Sequence, residues 1–145
     1  MSLSMSRSER EAFLEGVHIA VVSVQEPGRG PLTAPIWYHY EPGADVYMVL
    51  GKDSRKANLL HASGRMSLCV QEEAPPYRYV SIEGPVTLGT PDYNRDTRDM
   101  AHRYLGREAG DAYLAGTGGG EGNLLARLTP ERWLTVDYGK MGRPE

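Results

Sequence analysis

The residues best suited to chemistry form one short run, Gly51-Lys52-Asp53-Ser54-Arg55-Lys56-Ala57-Asn58-Leu59-Leu60. An apolar strand pattern ends just before it and a helical pattern follows, with Asp53 as a candidate cap. Arg55 and Lys56 fall in the first helical turn, where the helix dipole favours anions and disfavours cations. That placement makes sense if an anion sits at the helix start. Backbone N–H groups, the Ser54 hydroxyl and two cations would then converge on one phosphate. The same residues also fit a solvated basic turn neutralised by Asp53.

A second run, Thr33-Ala34-Pro35-Ile36-Trp37-Tyr38-His39-Tyr40, puts three aromatic rings and a histidine on one predicted strand. Proline cannot donate to a strand ladder, so Pro35 marks an edge or an opening. A flat ligand could lie there, and ordinary core or interface packing would use the same residues. His39 by itself reads as a structural histidine. Tyr77, Arg78 and Tyr79 follow Pro75-Pro76 and could reach a ligand or a second subunit, or could simply lead a surface turn into an amphipathic strand.

Other motifs carry little. Gly116-Thr117-Gly118-Gly119-Gly120-Glu121 lacks the last glycine of a dinucleotide fingerprint and reads as a flexible loop. His18, His39, His61 and His102 show no metal-ligand spacing, so no metal is expected. Asp92, Asp96 and Asp99 read as a solvated helix face. The single cysteine, Cys69, reads as a core residue on a strand, with no motif marking it as a nucleophile. No Gly-x-Ser-x-Gly elbow occurs. No side chain can be assigned as acid, base or nucleophile, so any catalysis would rest on a cofactor.

The elements that must position these residues follow from periodicity. Ser8-Glu9-Arg10-Glu11 resembles a capping box and predicts a short helix ending near Gly16. Strands are predicted over 17–24, 33–40, 46–50, 65–71, 79–88, 124–128 and 133–138, separated by Gly/Pro turns that favour antiparallel neighbours. Gly84-Pro85 predicts a bend in the fifth. Helices are predicted over 53–63, from Thr90-Pro91-Asp92 to Gly106, and over 108–115. Strands dominate, which favours a small barrel with helices outside it.

The chain has 145 residues, 40% hydrophobic and 24% charged, with a net charge of −3. That composition suits one folded domain over 1–145 rather than a disordered chain, and residues 1–7 are expected to be disordered or extraneous to it. The acidic balance gives no sign of a nucleic-acid partner. No apolar run is long enough to span a membrane and no secretory core opens the chain, so a cytoplasmic location is expected. Thirteen of the 16 basic residues are arginine, and one of only three lysines is Lys56.

In order and spacing, these segments resemble the pyridoxamine 5′-phosphate oxidase-like split β-barrel superfamily, and within it the flavin/deazaflavin-dependent oxidoreductase B branch. The marks are Pro35-Ile36-Trp37-Tyr38-His39-Tyr40, Ser54-Arg55-Lys56-Ala57 with Leu60, Pro76-Tyr77-Arg78-Tyr79-Val80, Glu83-Gly84, and Leu128-Thr129-Pro130-Glu131-Arg132-Trp133. The resemblance implies a six-stranded antiparallel split β-barrel, mainly β with flanking helices, forming a homodimer with cofactor at the subunit interface. It implies that Ser54, Arg55 and Lys56 hold the phosphate of FMN or of the deazaflavin F420, with F420 modestly preferred. Pro35, Ile36 and Trp37 would line the ring, and Tyr77, Arg78 and Tyr79 would face the partner subunit's cofactor or a small-molecule substrate. The implied activity is hydride transfer between that cofactor and a small organic substrate. A non-enzymatic flavin or haem binder, for storage or sensing, is the alternative. An unliganded dimerisation module is a third reading. Pyridoxamine 5′-phosphate oxidation is disfavoured, because no clear substrate-phosphate contacts are found.

Overall fold

A computed structural model describes residues 2–142. Helix α1 (Arg7–Glu15) comes first. Ser6, not Ser8, caps it: the Ser6 hydroxyl accepts from the Glu9 N–H while the Glu9 carboxylate accepts from the Ser6 N–H at 2.8 Å. Leu3 and Met5 in the preceding stretch contact the last strand, and residue 1 lies outside the described residues. Leu3 O accepts from Asp137 N–H at 2.7 Å, Met5 N–H donates to Thr135 Oγ1 at 2.9 Å, and Met5 is buried.

Eight strand segments follow: β1 (Ala20–Val24), β2 (Leu32–Ile36), β3 (His39–Tyr40), β4 (Val46–Leu50), β5 (Arg65–Glu72), β6 (Arg78–Gly89), β7 (Leu124–Leu128) and β8 (Arg132–Asp137). All pairings are antiparallel. The stretch expected as one strand over 33–40 breaks at Trp37-Tyr38, where the chain leaves β2, paired to β1, and enters β3, paired to β4. Pro35 sits opposite Val21 on β2, an edge strand with one neighbour, the place in a sheet where proline is tolerated. The first strand begins at Ala20 rather than Val17, because His18 turns back to stack on Phe13 at 4.5 Å.

Two half-barrels share β6. Its first part pairs with β5 and β8, and its second part with β7. The bend between them needs Gly84, where an added Cβ would meet Thr129 O at 2.0 Å. Alternation along β5 buries Met66, Leu68 and Val70 against Val22, Val24, Val80 and Ile82. The opposite face of this sheet carries Val21, Cys69, Ser81 and Leu134 in one register row. Cys69 is therefore exposed, not a core residue.

Helix α2 (Arg55–Ser63) follows β4 and ends at Gly64, whose φ of 67° allows its N–H to reach Leu60 O at 2.8 Å. Between β6 and β7 a widened, π-helical turn (Tyr93–Arg98) runs into α3 (Asp99–Leu105), and α4 (Arg107–Gly116) packs back on α3. The glycine run after α4 forms a tight turn over Gly118–Gly120, each with positive φ (69°, 73° and 70°).

Candidate functional site

The residues of the two informative runs meet at the split between the half-barrels. A cavity of about 620 Å³ opens there. One wall is the end of β2 with Pro35, Ile36 and Trp37, and the next is the end of β4 with Val49, Leu50 and Gly51. Lys56 reaches it from the first turn of α2. The helical layer closes the other side with Asp96, Thr97, Met100, Tyr113 and Leu114, and the glycine-rich loop adds Gly120, Glu121 and Asn123.

The start of α2 forms because Gly51 to Ser54 is a tight turn, with Ser54 N–H donating to Gly51 O at 3.0 Å. That turn makes Ser54 the cap instead of Asp53. Its Oγ accepts from Ala57 N–H at 3.1 Å. No acidic side chain occupies the first turn. Lys56 is half-buried at the cavity wall, and no carboxylate pairs with it among the described residues. Arg55 is different: it forms an ion pair with Glu26 and stays outside the cavity lining. An uncompensated cation beside free helical N–H groups is a setting for a phosphate or another anion.

Trp37 is the flat element of the site. Its ring lies parallel to that of Tyr104, with centroids 5.0 Å apart, and tilts against Tyr113 at 5.5 Å. The Tyr104 hydroxyl donates to His18 O at 2.6 Å and accepts from Tyr38 N–H at 3.1 Å. Burial raises its pKa, and that of the fully buried Tyr38, which donates to Leu14 O at 2.8 Å. Both phenols stay protonated and hold the β2–β3 crossing in place.

Asp96 corrects the expectation of a solvated acidic face. Its side chain is fully buried, and it accepts from Arg95 at 2.8 and 2.9 Å, from His39 Nε2 at 2.9 Å and from Asp92 N–H at 2.8 Å. Burial works to raise its pKa, but the Arg95 and His39 bonds outweigh burial and hold it below the ordinary carboxylate value. His39 stacks on Tyr47 at 4.7 Å, so it braces the cavity wall from behind.

Tyr77, Arg78 and Tyr79 do not join the cavity within one chain. Tyr77 is exposed, and Arg78 pairs with Glu72 at 2.6 Å and lies over the Phe13 ring. The sequence reading missed Asp96, Thr97, Met100, Tyr113 and Leu114. Thr97 and Met100 fall in the helix predicted to end at Gly106, and Tyr113 and Leu114 in the one over 108–115, but nothing local shows which sheet face those helices cover. Among the described residues no group of three or more His, Cys, Asp or Glu could hold a metal ion, and no helix is long and apolar enough to cross a membrane.

The sequence matches no protein-family model and no curated protein. Solved structures do match. Rv2991, a conserved hypothetical protein from Mycobacterium tuberculosis, superposes with a TM-score of 0.81 at 20% identity, covering 99% of this chain and 91% of that one. An F420 reductase gives 0.62 at 16% identity, covering 86% and 94%. HutZ, the haem storage protein from Vibrio cholerae, gives 0.66 at 15% identity, covering 94% and 96%. The fold is the pyridoxamine 5′-phosphate oxidase-like split β-barrel. At these identities the likeness establishes the fold, and this split barrel frames both a reductase and a storage protein.

Proposed function

We propose that the protein is a homodimeric oxidoreductase that moves hydride between a phosphate-bearing flavin-type cofactor and a small organic substrate. The observation that carries this reading is that Pro35, Ile36, Trp37 and Lys56 line one cavity at the start of α2. The group present there would need an anionic end and a flat end, and FMN and F420 both have them. F420 is preferred, supported by the Ser54-Arg55-Lys56 pattern and the F420 reductase among the similar structures.

Lys56, the Ser54 hydroxyl and the α2 N–H groups would bind the phosphate. Arg55 would join them by leaving Glu26, an exchange that costs little because an exposed pair contributes only about 0–1 kcal/mol. Pro35, Ile36 and Trp37 would orient the ring. Met100, Leu114 and Tyr113 would exclude water from its face. The cofactor itself would accept and deliver the hydride. Tyr77, Arg78 and Tyr79 would act, if at all, on the partner subunit's side of the interface. The exposed register row of Val21, Cys69 and Leu134 supports a second copy covering that sheet.

The test is the absorption spectrum of the purified protein followed by equilibrium titration with FMN, F420 and haem. Saturable binding of F420 or FMN, with bound reduced cofactor reoxidised by an organic acceptor, is the expected result. Haem binding alone would replace this reading with a storage or sensing role.

A further inference from the structure

Arg55 stands at the start of α2, yet Glu26 holds it outside the cavity lining. Glu26 comes from the turn between β1 and β2, Glu26-Pro27-Gly28-Arg29. Proline presets the second position of that turn, and Gly28 takes the positive φ, 76°, that the third position requires. Arg29 N–H closes the turn by donating to Glu26 O at 3.1 Å. The first and fourth side chains then lie side by side, with Arg29 Nη1 3.6 Å from Glu26 Oε1. The Glu26 carboxylate thus has a cation at each oxygen. Arg29 sits at Oε1, fixed by the same turn, and Arg55 sits at Oε2, delivered by α2.

The three side chains differ in exposure. Glu26 is 16% exposed, against 48% for Arg55 and 67% for Arg29. A shielded carboxylate resists losing its last cation. With Arg29 in place, Glu26 can give up Arg55 and stay neutralised. The α2 start also has backbone donors left over. Ser54 Oγ accepts from Ala57 N–H and Ser54 O from Asn58 N–H, which leaves the N–H groups of Arg55 and Lys56 outside the helical ladder. A phosphate on those donors competes with Glu26 for the Arg55 guanidinium. We infer that Glu26 is a built-in competitor for the anion site, and that Arg29 is the partner that takes it over when a phosphate claims Arg55. This inference rests on the anion site proposed above at the start of α2.

The probe is inorganic phosphate, titrated against the full chain at constant ionic strength. The readout is the NMR shift of the Arg55 and Lys56 amides and of the Arg55 Nε–H. Saturable shifts at all three are expected in the wild type. Glu26→Gln should tighten phosphate about two- to fivefold, the gain from freeing Arg55 of an exposed ion pair. Arg29→Gln should weaken it by a similar factor, because Glu26 then has Arg55 as its one cation. In the Glu26→Gln background, Arg29→Gln should lose that effect. The proposal is overturned by any of three results: no saturable shift, affinity unchanged or weaker in Glu26→Gln, or an Arg29→Gln effect of equal size in both backgrounds, which would make Arg29 a remote charge. Parallel titrations with FMN and F420 separate this inference from the proposed function. The expected phosphate pattern with neither cofactor bound keeps the Glu26 competitor and rejects the cofactor reading. Cofactor binding with phosphate affinity unchanged in Glu26→Gln does the reverse.

Discussion

Trp37 lies flat on Tyr104, with ring planes only 4° apart, so the cavity wall rests on a phenol whose hydroxyl ties three chain segments together. Tyr104→Phe keeps the stacked ring and removes the hydroxyl. Tyr38 N–H and His18 O then lose their partner. We expect a destabilisation of about 1–3 kcal/mol by urea unfolding. Near-ultraviolet circular dichroism should still show the Trp37 environment, since the stack survives.

Lys56→Ala removes the unpaired cation at the cavity wall. The expected loss in FMN or F420 affinity is about 1.5–3 kcal/mol, that of a hydrogen bond to a charged group. Unfolding stability should hardly change, because Lys56 has no ion-pair partner among the described residues. Unaltered affinity in a cofactor titration would remove the phosphate assignment.

His18 gives a pH dependence with a definite sign. Burial lowers its pKa from 6.5, against the smaller raising influence of its bond to Phe13 O at 3.0 Å. The unfolded chain therefore takes up this proton more readily than the folded one. The associated stability is complete above pH 6.5 and is lost as pH falls below it toward the folded value. Urea midpoints at about pH 7.5 and about pH 5.5 should differ more in the wild type than in His18→Gln. Equal differences in the two proteins would contradict the assignment.

Leu134 is 59% exposed on the face opposite the core, in register with Ser81 and, through it, Cys69 and Val21. If a second copy covers this row, Leu134→Arg places an uncompensated charge in the contact. Sedimentation should give a dimer for the wild type and a 16.0 kDa species for the variant. A wild-type monomer at micromolar concentration would argue against the dimer.

Much of the sheet was legible because strand alternation is local. Met66, Leu68 and Val70 announce one buried face of β5 without reference to anything distant. The break at Trp37-Tyr38 was hidden, because Ile36 and His39 both suit a strand and differ only in which strand they meet. Asp96 was misread for a related reason. Its burial depends on His39, 57 positions away, and on a π-helical turn that local spacing does not encode. Ser54 was read as part of an anion-binding helix start; it caps α2 but is not among the residues lining the cavity, and the partner of Arg55 is Glu26, 29 positions earlier in the chain. What local pattern cannot supply is pairing across the barrel.

Strand β6 passes from one half-barrel to the other through the bend at Gly84. Neither half possesses a complete sheet of its own. Opening β6 at any point removes ladder bonds from β5 and β8 on one side or β7 on the other, and the bend transmits the loss. Because the two halves share β6, coincident urea transitions from probes in each half are expected. A cavity lined from both halves depends on that shared strand for its shape.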